Sequence, residues 1–114
     1  MTAEEVFCDL SEKYGDSFHW RMLPLSNKSF VNELKREIGQ SHFLYNRKIW
    51  AVAKCDSRDD VLFVTVNDDR EDVYYIFHLT YSDDNAIGYP QYKELNGVVK
   101  MKEYIEERYL ADFL

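Results

Sequence analysis

In the stretch FHLTYSDDN, residues 77–85, four residues separate His78 from the pair Asp83-Asp84. An imidazole titrates near neutral pH, so a carboxylate placed to hold its ring would give a general acid or base. The same aspartates carry hard oxygen ligands of the kind a divalent cation takes. An acid/base or metal-dependent enzyme using His78 with Asp83 or Asp84 is therefore one reading. The sequence lacks the partners such chemistry needs. There is no EF-hand loop, no serine in a nucleophile elbow and no glycine-rich phosphate loop. His19 and His42 precede Trp20 and Phe43 without metal spacing, and Cys8 and Cys55 stand far apart with no C-x-x-C pair. The preferred reading is a histidine on a strand that runs into a polar turn, packed or at an interface, with no cofactor and no metal.

Acidic pairs recur at Asp59-Asp60, Asp68-Asp69 and Asp83-Asp84. Aspartate suits turns because its carboxylate accepts from nearby backbone amides. In an up-down-up meander, Asp59, Asp60, Asp83 and Asp84 would share one end of the sheet and Asp68 and Asp69 the other. A shared acidic end could steer a basic partner.

The chain has 114 residues, enough for one domain with its own core, and 46% of them are apolar. Its formal charge of −7 opposes non-specific binding to nucleic acid or to an anionic membrane. The charge is uneven. Ser17 to Lys54 holds seven Lys/Arg against two Glu, whereas Asp59 to the end holds five against thirteen Asp/Glu. No signal-like or membrane-spanning apolar run is present, so a cytoplasmic location is expected.

These residues need elements to position them. Thr2 with Glu5 reads as a capping box, followed by Phe7, Leu10 and Tyr14 at helical spacing and Gly15 as the stop. Ser26 is the expected cap of a second helix with a Phe30, Val31, Leu34, Ile38 stripe ending at Gly39. The period then changes to two in KIWAVAKC (48–55), VLFVTV (61–66) and VYYIFHLTY (73–81), with short polar connections that suit hairpins. A loop through Gly88 and Pro90 leads to a last helix near 98–113. The order ααβββα predicts an α+β domain spanning 1–114: a two-layer fold, three or more antiparallel strands with helices mainly on one face.

Alternation places Tyr74, His78 and Thr80 on one side of the third strand, and Lys48, Trp50 and Lys54 on one side of the first. The small and apolar residues opposite them, Ala51, Ala53, Cys55, Tyr75 and Phe77, are the natural helix-facing set. Trp50 is then an aromatic anchor on an open face, framed by Lys48 and Lys54. Basic residues around an aromatic also describe nucleic-acid surfaces, but the acidity and the missing RNP-type motifs argue against that.

The stretches WAVAKC, DDVLF and HLTYS, followed by Tyr89-Pro90 and a final helix, resemble small, mostly uncharacterised bacterial proteins. Those proteins are built on a tryptophan–alanine–lysine strand, a D-D-V-L strand and an H-L-T-[WY] strand. The similarity spans roughly Trp50 to Tyr92. It implies a stand-alone cytoplasmic domain, some of whose relatives are thought to be immunity partners of polymorphic toxins. The combined expectation is a non-enzymatic protein-binding domain that docks on a basic toxin domain. Trp50, Tyr74 and His78 would anchor it and Asp59, Asp60, Asp83 and Asp84 would steer it. A homodimer across the open sheet face is compatible with the same surface.

Overall fold

Thr2 and Glu5 close the capping box that their spacing predicts. The Thr2 amide donates to Glu5 Oε1 at 3.2 Å and the Glu5 amide to Thr2 Oγ1 at 3.1 Å. They open α1, Ala3–Tyr14, in a computed structural model that describes residues 2–66, 71–81 and 90–113. Gly15 ends the helix at a φ of 66°, in the left-handed region that favours glycine. A short 3₁₀ turn, Gly15–Ser17, leads into β1, Trp20–Met22. The second helix, α2, spans Ser29–Ile38. Ser26 does not cap it: the Asn27 amide bonds back to the Pro24 carbonyl at 2.9 Å, and Asn27 Oδ1 accepts from the Ser29 amide at 3.0 Å. The residues between proline and helix thus form a turn of their own.

The strands β2 (Trp50–Cys55), β3 (Asp60–Val66), β4 (Asp72–His78) and β5 (Tyr92–Asn96) precede α3, Val98–Phe113. With β1 they form one antiparallel sheet in the order β1-β2-β3-β4-β5. The α+β class read from the sequence holds. Two edge strands go beyond it, β1 and β5, because neither shows the alternation of a half-buried strand. β1 has three residues, and in β5 only Leu95 is buried.

The expectation of a bare second face is corrected. Below α1 and α3, Leu62, Tyr74 and Ile76 pack with Phe7, Met101 and Ile105. On the opposite face Val61, Phe63, Tyr75 and Phe77 pack with Leu34 of α2 and Leu44. The reason lies in β3 and β4, which are apolar on both sides and so require cover on both. The stripe of α2 supplies the second cover.

Strict alternation also fails in β2. Ala51 pairs with Phe63, but Ala53 pairs with Leu62, so a bulge lies between them. Ala51 therefore faces α2, while Ala53 and Cys55 turn to the α1/α3 side with Val52. Among the described residues no helix is long and apolar enough to cross a membrane.

Candidate functional site

The register sets Trp50 beside Val64, Val64 beside Tyr74 and Tyr74 beside Leu95, a single row across four strands. Helices α1 and α3 both begin at this end of the sheet, at Ala3 and Val98, and the strands continue past them. The uncovered strand ends form the floor of a groove of about 1020 Å³. Met22, Pro24 and Leu25 make one wall, and the first residues of the two helices make another. Trp50 stays 37% exposed, and Met22, Leu25 and Val66 are exposed as well. Tyr74 lies beneath them at 3%. Burial, then the neighbouring Asp72 carboxylate, push its phenol above the ordinary tyrosine value. Glu4, Glu71 and Asp72 give the groove an acidic border.

Trp50 also borders a second depression, of about 470 Å³, on the α2 side. Lys28, Lys35 and Lys48 line it, with Asn27 and Asn32 between them. The indole thus forms a ridge between an apolar groove with acidic edges and a lysine-lined pocket. Lys48 flanks Trp50, as alternation suggests. Lys54 does not. Its Nζ donates to the carbonyls of Cys55 at 2.7 Å and Arg58 at 2.5 Å, so it closes the β2–β3 turn at the far end of the strand.

His78 and Asp60 are likewise distant from Trp50. They pair across β4 and β3, four residues along the strand from Tyr74, or about 13 Å by strand rise. The anchor set inferred from the sequence therefore divides between two ends of one face. His78 Nδ1 lies 2.8 Å from Asp60 Oδ1, so the aspartate that orients the ring comes from the neighbouring strand. Asp83 and Asp84, the partners considered above, lie outside the described residues, as do Asp68 and Asp69. Asp59 is exposed, and its carbonyl accepts from the Leu79 amide at 3.0 Å. Among the described residues no group of three or more His, Cys, Asp or Glu could hold a metal ion.

Beyond His78 the chain crosses to the α2 side, which corrects the placement of Thr80 on the open face. Glu37 of α2 is 7% exposed. Its Oε1 accepts from the Thr80 amide and hydroxyl, both at 2.7 Å, and its Oε2 from the Tyr81 amide at 3.1 Å. Burial alone would push this carboxyl up. The side-chain bond with Glu33 and the donors of Thr80 and Tyr81 outweigh it and hold Glu37 below the usual value. Tyr81 sits at a φ of 55°, a left-handed conformation that two-residue anchoring on Glu37 helps to maintain.

Sequence reasoning missed Met22, Leu25, Glu4, Val66 and Glu71 as parts of the groove. One signal was available: Val64 and Val66 alternate with the inward Phe63 and Thr65, so they had to share a side. The chain was compared with protein-family models, with curated proteins and with solved structures, and it matches none of them.

Proposed function

We propose that this chain is a protein-binding domain without chemistry of its own, an immunity-type inhibitor that docks on a bacterial toxin domain in the cytoplasm. The observation that carries the reading is the Trp50 groove. It is an open apolar trough large enough for several side chains, with a half-exposed indole at its lip. Large aromatics with a partly dry surround dominate binding energy at protein interfaces, and a polar rim sets register. Here the rim has two signs. The partner segment inserts apolar side chains beside Trp50, sets basic residues against Glu4, Glu71 and Asp72, and sets acidic residues against Lys28, Lys35 and Lys48. The steering role assigned to Asp59 and Asp60 passes to these nearer carboxylates.

The acid/base alternative gains a His–Asp pair, since Asp60 orients His78. Among the described residues, the surrounding cleft is lined by no Ser, Thr or Cys hydroxyl or thiol. That favours binding over nucleophilic chemistry.

The test titrates the product of the reading frame beside this chain's gene against the wild type and Trp50→Ala. Loss of a hot-spot indole should weaken affinity by at least about thirtyfold while circular dichroism stays unchanged. A neighbouring product that does not bind, or a partner indifferent to Trp50→Ala, overturns the reading.

A further inference from the structure

At the far end of the same sheet face, a cleft of about 430 Å³ lies between β4, β5 and the C-terminal half of α3. The register explains its floor: Asp60 pairs with His78, and Ile76 pairs with Lys93, so these side chains share the α3 side. Arg58 from the β2–β3 turn and Arg108 from α3 complete the lining, with Tyr92 and Tyr104 at its margins. This is an unusual concentration of positive charge for a chain of −7.

Among the described residues, the acids beside the cleft are already engaged. Asp60 holds His78 at 2.8 Å, and Asp112 holds the Arg58 guanidinium. Glu107, the neighbour of Arg108 on α3, is exposed and does not line the cleft. Lys93 and Arg108 have no ion-pair partner among the described residues. Two cations lining one cleft repel, and a bound oxyanion would offset that repulsion. His78 adds direction. With Nδ1 donating to Asp60, Nε2 is the ring nitrogen left to meet a ligand, and it carries the hydrogen an anion needs when the ring is protonated.

We infer that this cleft binds a phosphate-class oxyanion, with Lys93 and Arg108 as its principal ligands and the Nε2–H of the protonated His78 ring as a third contact. Arginine suits phosphate through its forked donors, and lysine through its compact charge. Phosphate rather than carboxylate is indicated because the three groups approach from β4, β5 and α3. A tetrahedral ion can receive donors from three sides, whereas a planar carboxylate presents acceptors in one plane. The tyrosines leave an apolar margin for the organic part of a phosphate monoester.

The experiment is an NMR titration in a phosphate-free buffer of low ionic strength. Inorganic phosphate and phenyl phosphate are the probes, with sodium chloride and sodium acetate at matched ionic strength as controls. Saturable shifts of the His78 ring and of the Lys93 and Arg108 signals are expected. Lys93→Gln and Arg108→Gln should each weaken the response about tenfold, the loss expected for one charge-assisted partner. Trp50→Ala should leave it unchanged, so this site stands or falls separately from the docking groove. Tighter binding of phenyl phosphate identifies a monoester site, and equal binding identifies a free-phosphate site. The inference is overturned if neither probe saturates, if chloride or acetate gives the same shifts, or if both glutamine variants respond like the wild type. Lys93 is exposed, so Lys93→Gln keeps the test valid even should Arg108→Gln fold poorly.

Discussion

Tyr74 and His78 stand on the same face of β4, four residues apart, yet their surroundings contrast. Around Tyr74 the cross-strand row is Trp50, Val64 and Leu95, and the lining is mostly apolar. Around His78 it is Asp60, with Lys93, Arg58 and Arg108 nearby. Helix α3 runs over both, from Val98 at the first to Arg108 at the second. Helix α1 lies parallel to it, tied by Lys13 to Glu106 at 2.8 Å and by Lys102 to Asp9 at 3.5 Å. A single sheet face thus carries two kinds of site. The apolar end holds its shape by packing, whereas the polar end is fixed by directed bonds to turns and strand exits. The two ends should therefore fail differently.

The largest effect is expected at the apolar end. Tyr74→Ala removes a buried ring from the groove floor, where it packs with Ile76, Leu95 and Met101. Truncating a buried aromatic costs about 3–5 kcal/mol, read as a lower midpoint in urea unfolding with an unchanged slope. A cost below about 1 kcal/mol would mean that the floor is not packed as described.

The exit of β4, which crosses to the α2 side just past His78, should break next. Glu37→Ala strips the acceptor from the Thr80 amide, the Thr80 hydroxyl and the Tyr81 amide at once. Leaving such donors unpaired costs about 2–4 kcal/mol in total, since water can reach part of the site. The pH dependence has a definite sign. Glu37 is held below its ordinary value of 4.5, so in the unfolded chain it binds a proton more readily. Its contribution is complete above that value and is lost as pH falls through the lower folded value. Acid titration of unfolding stability should therefore be shallower below pH 4.5 for Glu37→Gln than for the wild type. Parallel curves would show that the carboxylate does not anchor the exit of β4.

These two regions were unequally legible in the sequence. The helix stripes, the capping box and the three central strands could be read because each carries its period over many residues. The α+β class followed from them. Alternation alone could place Lys48 with Trp50 on one side of their strand and Tyr74 with His78 on one side of theirs. The division between Trp50 and His78 could not be read, because it depends on the pairing register of β2, β3 and β4. The bulge between Ala51 and Ala53 is likewise silent in a run of small residues. Edge strand β5 reads as a polar loop, since Tyr92, Lys93 and Glu94 are all exposed. With β5 unread, Lys93 could not be brought beside His78. Glu37 was seen as one of two acids in a basic segment, and nothing local reveals that it caps a segment 43 residues away.

The smallest effect sharpens the contrast most. Asp60→Ala removes the acceptor for the His78 ring, but the imidazole is 57% exposed, so water replaces the lost bond. Stability should change by less than about 1 kcal/mol, as for other exposed ion pairs. The ring's tautomer should respond nevertheless. With the carboxylate present the Nδ1 hydrogen faces Asp60, and without it nothing on β3 selects that nitrogen. Nitrogen chemical shifts of the imidazole would then move toward a mixed tautomer, while the signals of Trp50 and Val64 stay in place. If Asp60→Ala instead perturbed the groove as strongly as its own end, the two ends would be one cooperative site. A stationary His78 spectrum would show that Asp60 does not set the ring at all.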